Sequence, residues 1–486
     1  MTSNFSEEPL LADRPEHPEE ACGVFGVFAP GEDVARLTYF GLHALQHRGQ
    51  ESAGLAVGDG ETVTVTKNLG LVSRVFKESD LDSLTGDVAI GHTRYSTTGS
   101  SSSWENSQPH LSTIGRQAIA LAHNGNLVNT HELREELKGR GIRFRSTTDS
   151  EVMTTLVGAF TVESSHIREG IRKTMELIRG AYAVVLMTED ALYAFRDPHG
   201  VRPLVLGELP DSRGWVLSSE TCGLDIVGAT FVRDISAGEA IKVSSAGVES
   251  IQAVPPQKPS LCMFEFVYFA RPDSEMYDCS LYEARRHMGA ALAVEAPVEA
   301  DLVIGVPDSG IPAAVGFAGA STVPYGEGLA KNRYVGRTFI SPSQMLRQQG
   351  IRLKLNPLKH AIRGKRLVVV DDSIVRGNTT KKLVALLRDA GATEVHMRIT
   401  SPPVAWPCFY GIDTDTREQL IAATHTLEEI REHIGADSLA YLSLDAMVEA
   451  TGVSKDAFCL ACFDGSYPID IPEGVREGKM ALERCV

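Results

Sequence analysis

Two stretches and a scatter of cysteines have residue types and spacing that could do chemistry. In Val368-Val-Val-Asp-Asp-Ser-Ile-Val-Arg-Gly-Asn-Thr-Thr380, an apolar strand delivers adjacent carboxylates, Asp371 and Asp372, to a sheet edge. Successive strand-end side chains diverge, so the pair can hold different sugar hydroxyls and a water-mediated Mg2+. Arg376, Gly377, Asn378, Thr379 and Thr380 then lead into a helix N-terminus, where free N–H groups, the helix dipole and hydroxyls suit a phosphate. A plain strand and capped helix is the competing reading, but acid pair, glycine and hydroxyls all fall within one short span. The second stretch is residues 331–365, which holds nine Lys or Arg and no Asp or Glu. A solvated basic face would look the same. In a chain of 47 basic and 63 acidic residues, net −16, such a run points to one local anion site.

The eight cysteines are at 22, 222, 262, 279, 408, 459, 462 and 485. Cys22 opens an apolar run, where a lone cysteine is usually a small buried hydrophobe. Cys459-Leu-Ala-Cys462 places two thiols within reach of one metal, which leaves zinc, an iron–sulfur cluster, a redox pair and chance all open. No apolar run approaches the roughly 20 residues that span a bilayer. Residues 1–21 carry six carboxylates against Arg14, unlike a secretory signal or an Arg-rich transit peptide. A cytoplasmic protein with reduced thiols is therefore expected. The net charge argues against nucleic acid or a membrane surface as a general partner.

These residues need elements to position them. Residues 1–21, with Pro9, Pro15 and Pro18, read as a disordered or removable leader. From Cys22 on, short strands (22–28, 62–66, 88–92, 118–122, 182–188, 215–218) alternate with helices (33–47, 130–140, 149–160, 166–178), which predicts an α+β or layered domain. Val254-Pro-Pro-Gln-Lys-Pro-Ser260 is the linker candidate. Beyond it, apolar strands (302–306, 366–370, 395–400) are interleaved with helices (311–318, 379–390). That order predicts a parallel sheet with ligands at the strand C-termini. The expected division is a leader (1–21), a first domain (22–255) and a second (256–486).

Three resemblances follow from the quoted residues. Residues 368–380 resemble the ribose-5-phosphate signature of type I phosphoribosyltransferases. This implies that Asp371 and Asp372 face the ribose hydroxyls, with residues 376–380 around the 5-phosphate and Ser373 also contacting the substrate. Asn378 stands where the nearest members usually carry Thr. Val306-Pro-Asp-Ser-Gly310 resembles the companion pyrophosphate loop. It would contribute Asp308, Ser309 and Gly310, with Ser309 joining Asp371 and Asp372 near one Mg2+. Lys331-Asn-Arg-Tyr-Val-Gly-Arg-Thr338 resembles the loop that closes over phosphoribosyl pyrophosphate, through Lys331, Arg333, Tyr334 and Arg337. Leaving pyrophosphate calls for such cations.

In the first half, Gly91-His-Thr-Arg-Tyr-Ser-Thr97, Ala122-His-Asn-Gly-Asn126 and Thr147-Thr-Asp-Ser-Glu151 resemble the N-terminal-nucleophile glutamine amidotransferases. The resemblance implies Cys22 as nucleophile once residues 1–21 are removed, with its α-amine (pKa about 8) as base. It makes Asn124 and Gly125 the oxyanion donors, and has Arg94 and Asp149 bind the glutamine α-carboxylate and α-ammonium. Leu261-Cys-Met-Phe-Glu-Phe-Val-Tyr-Phe-Ala-Arg-Pro-Asp-Ser274 and Ser401-Pro-Pro-Val-Ala-Trp-Pro-Cys-Phe-Tyr-Gly-Ile-Asp413 resemble the cluster-bearing branch of glutamine phosphoribosylpyrophosphate amidotransferases. In that branch Cys262, Cys408, Cys459 and Cys462 would hold one structural 4Fe–4S cluster per subunit, with zinc as the alternative. Cys222, Cys279 and Cys485 are read as structural or incidental.

The family resemblance implies an α+β N-terminal-nucleophile (αββα layered) glutaminase domain followed by an α/β type I phosphoribosyltransferase domain. It implies the first committed step of de novo purine synthesis: glutamine is hydrolysed and ammonia crosses to phosphoribosyl pyrophosphate, giving 5-phosphoribosylamine, glutamate and pyrophosphate. Feedback by purine nucleotides and a homotetramer are implied too. A hexosamine-phosphate synthase would lack residues 371–380. A ligand-sensing regulator would not need Cys22, Arg94, Asn124 and Asp149.

Overall fold

The computed structural model describes residues 22–95, 100–114, 117–332, 354–412 and 416–472. The leader, Arg333, Tyr334, Arg337 and Cys485 lie outside the described residues.

The first part is two antiparallel sheets stacked face to face. The seven-stranded sheet runs Thr230–Asp234, Val205–Glu208, Trp215–Ser218, Gly23–Phe28, Val88–Arg94, Ser52–Gly58, Val63–Leu69. The six-stranded sheet runs Gly247–Gln252, Glu239–Ser244, Leu192–Arg196, Gly180–Met187, Gln117–Leu127, His110–Ile114. Alternation sorts their side chains into layers. Val24, Phe28, Ala120, Ala122, Ala183 and Val185 meet between the sheets. Phe25 and Val27 turn outward under the helix Val34–Ala44, while Leu121, Tyr182 and Val184 turn outward under Asp149–Ser164 and Ile167–Leu177. The order of layers is α, β, β, α. Because both faces of the central strands are covered, these strands read as continuous apolar runs rather than as alternation.

The second part centres on a four-stranded parallel sheet ordered Leu302–Gly305, Arg366–Asp371, Glu394–Ile399, Ser438–Tyr441. Val303, Val368 and Val370 pack on one face with Met288 and Phe317 from helices Leu281–Glu295 and Gly310–Ala320. Leu367 and Val369 pack on the other with Leu383 and Ile430 from Asn378–Asp389 and Leu427–Ile434. A sixth cluster joins the two parts, setting Val128, Ala181 and Val201 against Phe264, Val404 and Tyr410.

Candidate active sites

Cys22 sits at the start of a central strand whose first residue, Gly23, is paired with Thr93. That register puts the cysteine beside the end of the strand carrying Arg94. The Cys22 thiol donates to the Tyr95 carbonyl (3.2 Å), and the Tyr95 N–H donates to Cys22 Sγ (3.4 Å). From the other sheet, strand Gln117–Leu127 brings His123, Asn124 and Gly125 to the same end. Gly125 has φ +139°, and a Cβ there would lie 2.0 Å from the Ala181 carbonyl oxygen, so only glycine fits this pairing. Asp149 opens helix Asp149–Ser164, which is capped when the Thr148 hydroxyl accepts from the Glu151 N–H (3.3 Å).

Cys22, Arg94, Gly125 and Asp149 line one cavity together with Tyr95, Gln108, His123, Thr148 and Ser150. Asn124 is fully buried beside them, and neither polar atom of its amide has a hydrogen-bond partner among the described residues. Its NH2 is thus a donor held in reserve. Burial pushes the Cys22 thiol up to about 12, with Arg94 opposing. A thiol this reluctant needs a base at the moment of attack. Burial also works against the Asp149 carboxylate, but His123 and the N–H of Leu127 (3.0 Å to Oδ2) outweigh it and hold the group below its usual range. Asp149 stays charged.

In the second part, strand Arg366–Asp371 ends in the acid pair, with Asp371 and Asp372 both buried. The Asp372 N–H donates to Asp371 Oδ1 (3.0 Å), and hydroxyls of Ser309 and Ser373 donate to the two oxygens of Asp372 (2.6 Å each). Burial and the neighbouring Asp372 push the Asp371 carboxyl well above the usual range. Among the described residues no group of three His, Cys, Asp or Glu side chains could hold a metal ion alone. This donor set fits a Mg2+ shared with substrate oxygens, whose charge would relieve the pair. Gly377 at φ +84° turns the chain into helix Asn378–Asp389, and no side chain caps that helix start. The first-turn N–H groups of Asn378, Thr379 and Thr380 are left for an anion. Arg376 is held by Gln419 (3.0 Å). Lys331 Nζ donates to Asp308 Oδ2 (2.5 Å), linking the loop of residues 306–310 to the start of the basic segment.

The four cysteines named from the sequence converge. Cys262 pairs in parallel register with Cys459, and all of Cys262, Cys408, Cys459 and Cys462 line one cavity with Arg202. A hydrogen bond from Cys462 pulls the Cys408 thiol down to about 6 against burial, with Arg202 assisting. Burial pushes Cys262 up to about 11. Four sulfurs thus line one shared space, a donor set whose chemistry suits a metal centre.

Sequence reasoning assigned no role to Tyr95, Gln108, His123 and Ser150 in the first cavity. Tyr95, His123 and Ser150 do lie inside the quoted stretches 91–97, 122–126 and 147–151, whereas Gln108 lies outside them. Gln108 reaches the cavity by donating to, and accepting from, the backbone of His123.

Such geometry defines a class, a glutamine-hydrolysing domain joined to a phosphoribosyl-transferring one. Residues 92–225 match the family described as a glutamine amidotransferase domain, and residues 283–400 that described as a phosphoribosyl transferase domain. The amidophosphoribosyltransferase of Synechococcus elongatus is 57% identical over 98% of each chain. That of Mycobacterium tuberculosis is 54% identical over 99% of this chain and 93% of its own. A solved structure of glutamine phosphoribosylpyrophosphate amidotransferase from B. subtilis, complexed with ADP and GMP, matches at TM-score 0.87 and 46% identity. That match covers 94% of this chain and 100% of its own. A structure of the allosteric regulatory enzyme of purine biosynthesis matches at TM-score 0.88 and 45% identity, over 95% and 99%. The chain belongs to the amidophosphoribosyltransferase family, with the glutaminase-plus-phosphoribosyltransferase fold the motifs implied.

Proposed function

We propose that this enzyme runs two sites in series for purine biosynthesis, with each residue in the role its surroundings suit. Residues 1–21 are removed, and the chain divides near residues 255–256. The new α-amine of Cys22 takes the thiol proton as Sγ attacks the glutamine side-chain carbonyl carbon. Asn124 Nδ2 and the Gly125 N–H stabilise the oxyanion. Arg94 and Asp149 hold the α-carboxylate and α-ammonium. The C–N bond breaks as the amine returns its proton to the departing ammonia, and water then hydrolyses the thioester to glutamate.

Ammonia crosses to phosphoribosyl pyrophosphate, whose 5-phosphate lies on Ser373 and residues 376–380. Asp371 and Asp372 orient the ribose hydroxyls. Asp308, Ser309 and Gly310 receive the pyrophosphate, while Lys331, Arg333, Tyr334 and Arg337 close over it. Mg2+ near Ser309, Asp371 and Asp372 would offset charge on the leaving pyrophosphate. Nitrogen bonds to C1 as the C1–O bond breaks, and with one ammonia proton lost to solvent the products are 5-phosphoribosylamine and pyrophosphate. Cys262, Cys408, Cys459 and Cys462 would hold a 4Fe–4S cluster that ties the C-terminal segment to the junction between the two parts, with no part in the chemistry. The relative solved with ADP and GMP supports purine nucleotides as feedback inhibitors. A homotetramer and a cytoplasmic location complete the reading. Among the described residues no helix is long and apolar enough to cross a membrane.

The observation that carries this reading is the cavity uniting Cys22, Arg94, Gly125 and Asp149 on the same chain as the acid pair and its uncapped helix. Cys22→Ala tests it. Glutamine-dependent synthesis should fall at least about 10^4-fold while synthesis from free ammonia stays within about threefold. Equal loss of both activities would contradict two separable sites.

A further inference from the structure

Between the first cavity and the four cysteines lies a chain of buried charge that the reaction above does not use. Arg48 Nε donates to the backbone carbonyl of Cys22 (3.1 Å). Its other nitrogens donate to Glu220 Oε1 and to Glu265 Oε1, the latter at 2.7 Å. Arg202 Nη1 donates to that same Glu265 oxygen (3.1 Å), and its remaining donors hold the Tyr410 carbonyl (2.9 and 3.1 Å). The Tyr410 N–H in turn donates to Cys408 Sγ (3.4 Å). Glu265 is 2% exposed and the two guanidiniums 1% or less.

Glu265 comes from the far side of the proline-rich linker, three positions after Cys262, at the start of a π-helical turn (Glu265–Phe269). Arg285 pins that turn through the carbonyls of Phe266 (2.8 Å) and Ala270 (2.6 Å). Glu265 Oε1 thus bridges two arginines of the first part, while its Oε2 has no hydrogen-bond partner among the described residues. Here the geometry is spent on bringing Arg48 to the residue that carries the nucleophile, and buried pairs of this kind give little when one end is displaced.

We propose that Glu265 is a positioning residue for glutamine hydrolysis: through Arg48 it fixes the backbone of Cys22 from the second part of the molecule. The proposal rests on the reading of Cys22 as nucleophile. It makes the glutaminase site incomplete without the segment that follows the linker.

In the full-length enzyme, Glu265→Gln removes the charge and keeps the size. The kcat with glutamine is expected to fall about ten- to a hundredfold, as for a misplaced reacting group. The glutamine KM and the rate with free ammonia should each change by less than about threefold. Adding Arg48→Lys should cost no more than the larger single effect, because both act through one carbonyl. An unchanged kcat with glutamine, parallel losses with both nitrogen sources, or strictly additive effects would each overturn the proposal. If Glu265→Gln does not fold, Glu265→Asp replaces it. The shorter carboxylate keeps its charge but cannot reach both guanidiniums, so the same selective loss is expected and its absence is fatal. Cys22→Ala run alongside separates the two readings. Retained glutamine use there defeats the nucleophile assignment, whereas loss there with full activity in Glu265→Gln defeats only the role of Glu265.

Discussion

In the first cavity the groups that would meet glutamine are settled beforehand: Asp149 is charged and hydrogen-bonded, Arg94 is in place, and the Cys22 thiol is neutral and fixed to Tyr95. In the second site Asp371 and Asp372 sit side by side in the interior, where burial and the neighbouring Asp372 raise the cost of charge on Asp371. The difference follows from the substrates. A zwitterion can be read by fixed hydrogen bonds of opposite sign. A polyanion travelling with a divalent cation needs a site left electrostatically unsatisfied until both arrive, which stores instability in the free enzyme.

Removing that stored instability is the strongest way to break the contrast. Asp371→Asn should lower synthesis about 10^2- to 10^3-fold with either nitrogen source. Thermal unfolding of the ligand-free variant should nevertheless move up by about 1–3 °C, since a buried like-charge contact is gone. A lower melting temperature would show the pair to be compensated already.

Cys459→Ser should strip most of the iron and the broad absorption near about 400 nm from anaerobically purified protein. The melting temperature should fall by about 5–10 °C, because metal binding and folding are linked. Iron analysis and calorimetry read the two effects, and zinc in place of iron would reassign the cavity.

Gly125→Ala sharpens the contrast from the other side. With Cβ forced against the Ala181 carbonyl at positive φ, a destabilisation of about 2–3 kcal/mol is expected by denaturant unfolding. Activity should be lost with glutamine and kept with ammonia.

The smallest effect is in pH. The Asp371 carboxyl ionises at higher pH in the fold than in the unfolded chain, where it titrates near about 3.9. The folded protein thus holds the extra proton, and ligand-free stability should decline as pH rises from about 4 through the raised folded value, then level off. Calorimetry across that window should show the decline in the free enzyme, and not in Asp371→Asn or with Mg2+ and phosphoribosyl pyrophosphate bound.

Local chemistry was legible in the sequence. Strand, acid pair, glycine turn and helix between Val368 and Thr380 lie within one continuous segment, so the motif and the fold coincide. The strand Trp215–Ser218 and the helix beginning at Thr130 also fall where their patterns place them. Element ends moved by a few residues. Strand Gln117–Leu127 runs five beyond its apolar pattern because antiparallel pairing with Gly180–Met187 carries it through the polar His-Asn-Gly-Asn stretch. Strand Ser438–Tyr441 was not foreseen, being four residues long and only partly buried at a sheet edge. Least legible was the Glu220–Arg48–Glu265–Arg202 chain. Arg48 and Glu265 are 217 positions apart, and although Glu265 lies in the quoted stretch 261–274, nothing in either segment points to the other.

The central claim is that the first site exists only once Cys22 is the first residue of the chain. Intact mass of the purified enzyme, taken from the same sample assayed with glutamine, tests it most directly. The account predicts a polypeptide that begins at Cys22 wherever glutamine-dependent activity is full. Full activity in protein that still carries residues 1–21 would contradict it.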